Sequence, residues 1–269
     1  MAAVSAPPAV TPIATFTELR HRARQVGPVQ VAVIAAHDEV ALTAANQALE
    51  QGIAAPVLIG DATRIRAKAK ELGPGSLLAQ AALVASDDPA ATAVRMAREG
   101  SVSVLLKGHL RTDELLHAVL DKETGLRSGR LLSDVLLYED TLRAGKRLVG
   151  ITDGGLNVLP TFEQKQQIVH NAIEVMRCIG IARPKIAIMS ATEAVSAAVP
   201  STVDAQQLIH TRNEEQQGDG TALGDVREAI EAIIPRTILQ QQRPRIKHLD
   251  KAGIAAPRRE VGAALAIHG

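Results

Sequence analysis

Short runs that are apolar from end to end alternate along this chain with helix-length amphipathic stretches, and that alternation limits the fold more than any other feature. VQVAVIAA (29–36), APVLIG (55–60) and SVSVLL (101–106) read as strands. EVALTAANQALEQG (39–52), DATRIRAKAKELG (61–73), DPAATAVRMAREG (88–100) and the later part of KGHLRTDELLHAVL (107–120) read as helices. The punctuation agrees, with Gly52 at a helix C-cap, Asp61 at an N-cap and Pro89 in a first turn. A strand with no polar face must be covered on both sides, so these runs predict an α/β fold around a parallel sheet.

The pattern continues with RLVGITDGG (147–155), a strand and loop, and PKIAIMSATEAVS (184–196), another. Between them TFEQKQQIVHNAIEVMRCIGI (161–181) predicts a long helix with Ile168, Ala172, Val175, Met176 and Ile179 on its apolar face. Residues 1–15, with Pro7, Pro8 and Pro12, read as a loose leader. Beyond His210 the texture changes. NEEQQGDGTALGD (213–225) is polar and glycine-rich, and Pro235, Pro244 and Pro257 interrupt any helix. The expected division is a first α/β domain over 16–150, a partial second over 151–212, and a poorly ordered tail over 213–269.

Composition excludes several functions. Aromatics are 1% of the chain, so the core must be aliphatic and there is little on which nucleic-acid bases could stack. A net charge of +1 offers no field to recruit nucleic acid or a membrane surface. No uninterrupted apolar segment reaches membrane-spanning length, and the first residues lack the pattern of a signal peptide. The single cysteine, Cys178, rules out an internal disulfide and points to a reducing cytoplasm; its place on the long helix reads as packed.

In open parallel sheets ligands sit beyond the carboxyl ends of the strands. After SVSVLL come Lys107, Gly108 and His109, then Thr112 at the start of a helix. An ammonium, a glycine and free helix N–H groups suit an anion; the plainer reading is an exposed loop lysine and a helix cap. GLRSGR (125–130) offers Arg127 and Arg130 for bidentate phosphate contacts, or is a solvated loop. Thr152 and Asp153 close another strand, where Asp153 is a base, an orienter or a cap of its own turn. Ser190, Thr192 and Glu193 follow the next. The eight histidines, His37, His109, His117 and His170 among them, show no metal-ligand spacing, so no metal is expected. The Gly-x-Gly-x-x-Gly, Gly-x-Ser-x-Gly and Gly-x-x-x-x-Gly-Lys-Ser/Thr signatures do not occur.

In order, VLLKGHLRTDELLHAVLDKETGLRSGRLLSDV, RLVGITDGGLNVLPTFEQKQQIVHNAIEVMRCIGI and PKIAIMSATEAVSAAVPSTVDAQQL resemble the phosphate acetyl/butyryl transferase family. The likeness is greatest to its butyryltransferase-like branch and to the acyltransferase half of fused enoyl-CoA hydratase proteins. It runs from about Phe16 to His210. It implies a three-layer α/β/α architecture of the isocitrate/isopropylmalate dehydrogenase type, with two domains around a cleft, in a cytoplasmic homodimer. It also implies the reaction of acyl-CoA with inorganic phosphate to give acyl phosphate and free coenzyme A, which is a substrate, so no cofactor is needed. By position, Lys107, Gly108, Thr112 and Arg127 would line the phosphate or coenzyme A side, and Thr152 and Asp153 the far wall.

The family pattern continues into an Asp-Gly-Pro-Leu-like segment and a Ser-Arg-x-Asp-Ser segment that by resemblance holds phosphate and supplies the base; neither occurs here. No catalytic residue is therefore assigned. Two functional expectations stand: an acyltransferase of weak activity, and a non-catalytic relative that binds coenzyme A or acyl phosphate. A dehydrogenase on the same fold is the third, disfavoured because the sequence shows no metal-binding aspartate cluster or histidine set.

Overall fold

In a computed structural model of the chain, the residues described are 11–73, 76, 78, 81–142, 145–192, 194–210 and the backbone of 265–268. They fall into two compact units, Thr17–Arg130 and a second made of Met1–Phe16 with Leu131–Gly269.

The unit Thr17–Arg130 carries a four-stranded, all-parallel sheet ordered β3-β2-β1-β4. The strands are β1 (Val29–Ile34), β2 (Ala54–Gly60), β3 (Ala82–Ala85) and β4 (Val104–Lys107). The helices are α1 (Phe16–Val26), which enters the unit, α2 (Glu39–Glu50), α3 (Ala62–Glu71), α4 (Pro89–Arg98) and α5 (Thr112–Val119). Register explains the layering. Val33 pairs with Leu58, while Ala32 pairs with Val57 and Ile34 with Ile59. Side chains alternate along a strand, so these pairs look to opposite faces. Val33 and Leu58 pack with Leu42 of α2 and Ile65 of α3. Ala32, Ile34, Val57 and Ile59 pack with Ala90 and Ala93 of α4, bordered by Leu115 and Ala118 of α5. The expected coverage of both sheet faces is thereby met.

The caps follow the residues. Asp38, Asp61 and Asp88 each accept backbone N–H groups at the start of α2, α3 and α4, at 2.8–3.0 Å. α5 is different: Arg111 precedes it, its guanidinium held by Asp113 at 2.8 and 3.0 Å, and Thr112 is the first helical residue rather than the cap.

The second unit holds β5 (Leu136–Asp140), β6 (Arg147–Thr152), α6 (Phe162–Cys178), β7 (Lys185–Ile188), α7 (Pro200–His210) and β8 (Leu265–His268). Its sheet, ordered β5-β6-β8-β7, differs from the expected parallel one: each neighbouring pair is antiparallel. The β5–β6 hairpin accounts for the first of these three pairings, since a short connection only permits an antiparallel return; Arg147 bonds Asp140 at 2.9 Å where the two strands meet their connecting loop. Because β5 belongs with β6, the units divide at Arg130, ahead of the boundary the sequence suggested at 150.

α6 begins with a reciprocal cap between Thr161 and Gln164. It buries Ile168, Val169, Ala172, Ile173 and Met176. Cys178, read as packed, is exposed; two positions past Met176 it lies about 200° around the helix from the buried face. Residues 11–15, read as part of a loose leader, include Ile13, which is buried and donates its N–H to the Ile179 carbonyl at 2.9 Å. Glu193, the first ten residues and most of the expected tail (211–264) lie outside the described residues.

Ile65 has no exposed surface and joins α3 to the sheet. Ile65→Ala is expected to cost about 2–5 kcal/mol of stability, by loss of transfer energy and the cavity left behind, read as a lowered urea midpoint.

Candidate functional site

In the parallel sheet β1 is followed through α2 to β2 and through α3 to β3 on one side, whereas β4 lies on β1's other side. The strand order therefore reverses between β1 and β4, and a crevice beyond the carboxyl ends of those two strands is where an open α/β sheet binds ligands. Lys107, Gly108 and His109 sit at that end of β4; Ala35, Ala36 and His37 sit at that end of β1.

Backbone contacts hold the two strand ends together. The Gly108 N–H donates to the Ile34 carbonyl at 2.8 Å and the His109 N–H to the Ala35 carbonyl at 3.0 Å. A Cβ on Gly108 would lie 2.6 Å from the Ile34 oxygen and 2.7 Å from the Ala35 oxygen. Glycine is required there for this close approach, whatever it offers an anion. Ala35 has a φ of 50°, in the left-handed region that a residue with a Cβ seldom occupies. The turn brings the His37 N–H onto the Ala35 carbonyl at 2.8 Å. Backbone strain of this kind costs on the order of 1–3 kcal/mol and concentrates at functional sites.

The side chains follow from that frame. Lys107 is exposed and gives one hydrogen bond, Nζ to the Leu110 carbonyl at 3.0 Å. An ammonium has three donors, so two remain for another partner. Thr112 is exposed. The start of its helix already holds Asp113 and Glu114, whose carboxylates suit the positive helix end. The rings of His37 and His109 lie 4.8 Å apart, tilted by 49°. Their sequence separation hid this pair; only the β1–β4 register brings them together.

Arg127 belongs to the same unit. Gly125 ahead of it touches the end of α5, where a Cβ would meet the Asp121 and Val119 oxygens at 2.5 and 2.6 Å. The turn is closed by the Leu126 N–H on the Val119 carbonyl at 2.7 Å and by Asp121 accepting from Glu123 and Thr124. Arg127 is thereby presented exposed, with no hydrogen bond or ion pair among the described residues.

Thr152 and Asp153 lie in the other unit. Thr152 is fully buried and its hydroxyl donates to the Asp134 carbonyl. Asp153 Oδ1 accepts from the N–H groups of Gly155, Leu156 and Asn157 at 2.7–3.3 Å, and Oδ2 from the Asn157 amide at 2.5 Å. Burial pushes this carboxyl up, but the Asn157 amide and the three backbone donors outweigh it and hold it below the ordinary carboxylate range. Its structural role in this turn is therefore the capping one.

Both residues brace a segment that sequence reasoning passed over. Residues 131–134 are held by Asn171 on the Leu131 carbonyl and Ser133 hydroxyl at 2.9 Å, by Gln167 on the Leu131 N–H at 3.0 Å, and by Asn157 on the Leu132 carbonyl at 2.9 Å. The polar spacing of Gln167 and Asn171, four apart on α6, was the available signal. Pro-Ser-Thr-x-Asp-Ala at the start of α7 is likewise a set of fasteners. Ser201 pairs with Ser190 at 2.7 Å, Thr202 bonds Ser196 and Val199, and Asp204 pairs with Lys165 of α6.

A family model for phosphate acetyl/butaryl transferase matches residues 73–232. The chain belongs to that family. It is 36% identical over 218 residues to a phosphate acetyltransferase of Rhizobium meliloti, covering 78% of this chain and 66% of that protein. It is 35% identical over 196 residues to a phosphate butyryltransferase of Clostridium beijerinckii, covering 72% and 64%. The chain thus spans just under two thirds of the length of these curated relatives. Among solved structures, a branched-chain phosphotransacylase from Enterococcus faecalis superposes with a TM-score of 0.60 at 23% identity, covering 87% of this chain and 77% of its own. A phosphotransacetylase from Streptococcus pyogenes gives 0.57 at 13%, covering 87% of each; these two likenesses establish the fold. The six candidate residues of this phosphate acetyl/butaryl transferase family member all fall within the matched span. Among the described residues no group of three or more potential metal ligands occurs, and no helix is long and apolar enough to cross a membrane.

Two outcomes follow from the geometry. Gly108→Ala is expected to destabilise by about 1–3 kcal/mol, since backbone oxygens must move to admit the Cβ; chemical denaturation measures it. His37 titrates below its ordinary value of 6.5, first because it is desolvated and then because of Arg64 and His109, against the opposing pull of Asp61 and Asp38. As pH falls through the ordinary value, the unfolded chain gains a proton that the folded chain refuses, and stability declines until the folded value is passed. Urea midpoints taken between about pH 7 and pH 5 should therefore fall more steeply for the native chain than for His37→Gln.

Proposed function

We propose that this chain acts on coenzyme A and acyl phosphate as a phosphate acyltransferase, with inorganic phosphate as the third ligand. The observation that carries this reading is the family match over residues 73–232, which takes in Lys107, Gly108, Thr112, Arg127, Thr152 and Asp153. In the proposed reaction the coenzyme A thiol gives its proton to solvent, its sulfur attacks the acyl carbonyl, the C–O bond to phosphate breaks, and phosphate leaves with the electron pair. The chain's contribution is positioning and charge neutralisation. Lys107, with two donors to spare, and exposed Arg127 are the cations suited to phosphate oxygens. Asp153, held ionised by its turn, supports the fold of its loop rather than proton transfer. The family resemblance also supports a cytoplasmic homodimer.

A second reading is favoured by one feature of the sequence. No Ser-Arg pair stands anywhere in the 269 residues, so the phosphate contacts and base of the Ser-Arg-x-Asp-Ser segment are missing from this chain. On this reading it binds coenzyme A and phosphate without turnover.

Loss of free thiol from coenzyme A in the presence of acetyl or butyryl phosphate separates the two. Turnover that falls roughly 10- to 100-fold in Lys107→Ala, the equivalent of one charge-assisted contact, supports the acyltransferase. Calorimetric binding of coenzyme A by a folded chain without thiol loss supports the binding protein. Absence of both binding and turnover overturns the two together.

A further inference from the structure

The junction of β1 and β4 carries a feature that the proposed reaction does not use. Both ring nitrogens of His37 are shut off from solvent and lack a hydrogen-bond partner, and among the described residues they are the buried side-chain polar atoms in that condition. Leaving such groups unpaired is costly, and native structures normally satisfy them. The histidine is not there by accident of a loose loop. The left-handed turn at Ala35 directs one carbonyl to accept from both the His37 and His109 N–H groups, at 2.8 and 3.0 Å. That shared acceptor fixes both backbones, and the rings meet with centroids 4.8 Å apart.

The charges around the pair determine what it suits. Asp38 at the start of α2, with Asp61 and Arg64 at the start of α3, are the charged neighbours of His37, together with His109 after β4. The carboxylates are already engaged: Asp38 Oδ2 accepts from the Ala41 N–H, and Asp61 Oδ1 from the N–H groups of Thr63 and Arg64. The positive groups are less committed, with Lys107 opening the loop that carries His109. A neutral imidazole presents one donor and one acceptor, whereas an imidazolium presents two donors. A phosphoryl oxygen only accepts. A dianion arriving beside the desolvated His37 imidazole therefore favours its protonated form.

We propose that His37 and His109 form an oxyanion subsite at the carboxyl ends of β1 and β4 that takes up the phosphoryl group of the ligand together with a proton from solvent. The inference rests on the phosphate-bearing ligands of the proposed function and adds a recognition element to them. In the ligand-free chain burial holds His37 below its ordinary value, so the proton arrives with the anion and leaves with it.

The test is a pH titration of the histidine ring signals of the full-length, ¹⁵N-labelled chain, with and without saturating inorganic phosphate. His37→Gln and His109→Gln identify the two sets of signals. The expected result is that phosphate raises the His37 titration by about one pH unit, equivalent to roughly tenfold tighter binding to the protonated form. Calorimetry of phosphate binding in two buffers of different ionisation enthalpy should then show proton uptake that His37→Gln loses. Phosphate binding with the His37 titration unmoved and no proton uptake overturns the proposal, as does failure of phosphate to perturb either ring. Should His37→Gln not fold by circular dichroism, the native titration and His109→Gln decide. Acyl transfer observed with unresponsive histidines overturns the subsite and leaves the acyltransferase reading standing. A phosphate-coupled titration in a chain that neither binds nor acylates coenzyme A keeps the subsite and removes that reading.

Discussion

The contact on which the candidate site depends is between two backbones. Gly108 lies against the carbonyl oxygens of Ile34 and Ala35, closer than any side-chain-bearing residue could come. Because of it the loop after β4 folds over the end of β1, Lys107 and His109 are delivered to the point where strand order reverses, and the Ala35 carbonyl serves two N–H groups at once. The sheet beneath supplies the rigidity. β1 is buried on alternate residues from both faces, by α2 and α3 on one side and α4 and α5 on the other, so its end has little freedom to adjust. A functional loop mounted on such a strand inherits its precision from the sheet and not from its own contacts.

The second unit relies on a different kind of order. Its candidate residues are tied down by side chains bonding to backbone. Thr152 and Asp153 spend their hydrogen-bonding capacity on the turn and on residues 131–134, and Asn157, Gln167 and Asn171 complete the lashing. Pro-Ser-Thr-x-Asp-Ala does the same for α7. Motifs that identify the family are here in large part architectural. They hold loops that would otherwise pay the full entropy of ordering at each binding event.

The alternation of apolar runs and capped helices made most of the first unit readable, down to Asp61 as a cap and Pro89 in its first turn. Local signals of that kind survive because they act within a few residues. β3, ALVA, was hidden inside an alanine-rich stretch with no change of period to announce it. β5 was missed because its Leu136 and Tyr138 are exposed at a sheet edge, and an antiparallel hairpin does not need the doubly apolar pattern that the other strands display. Lys107 and Arg127 could be picked out as candidates by chemistry and spacing. The role of Gly108 could not, because the atoms it approaches belong to β1. The His37–His109 pair was invisible for the same reason, being a product of strand register. Cys178 was misplaced by a reading of the helix face that included Val175 and left out Val169 and Ile173.

That exposed cysteine has a practical side. A lone thiol at the C-terminal end of α6 gives chemists a single attachment point on a chain that has no other cysteine. The same helix carries Gln167 and Asn171, which fasten residues 131–134. A fluorophore or spin label coupled there would sit about two helical turns beyond Asn171. It would report on the motion of α6 without engineered cysteines and without occupying any residue named for ligand binding.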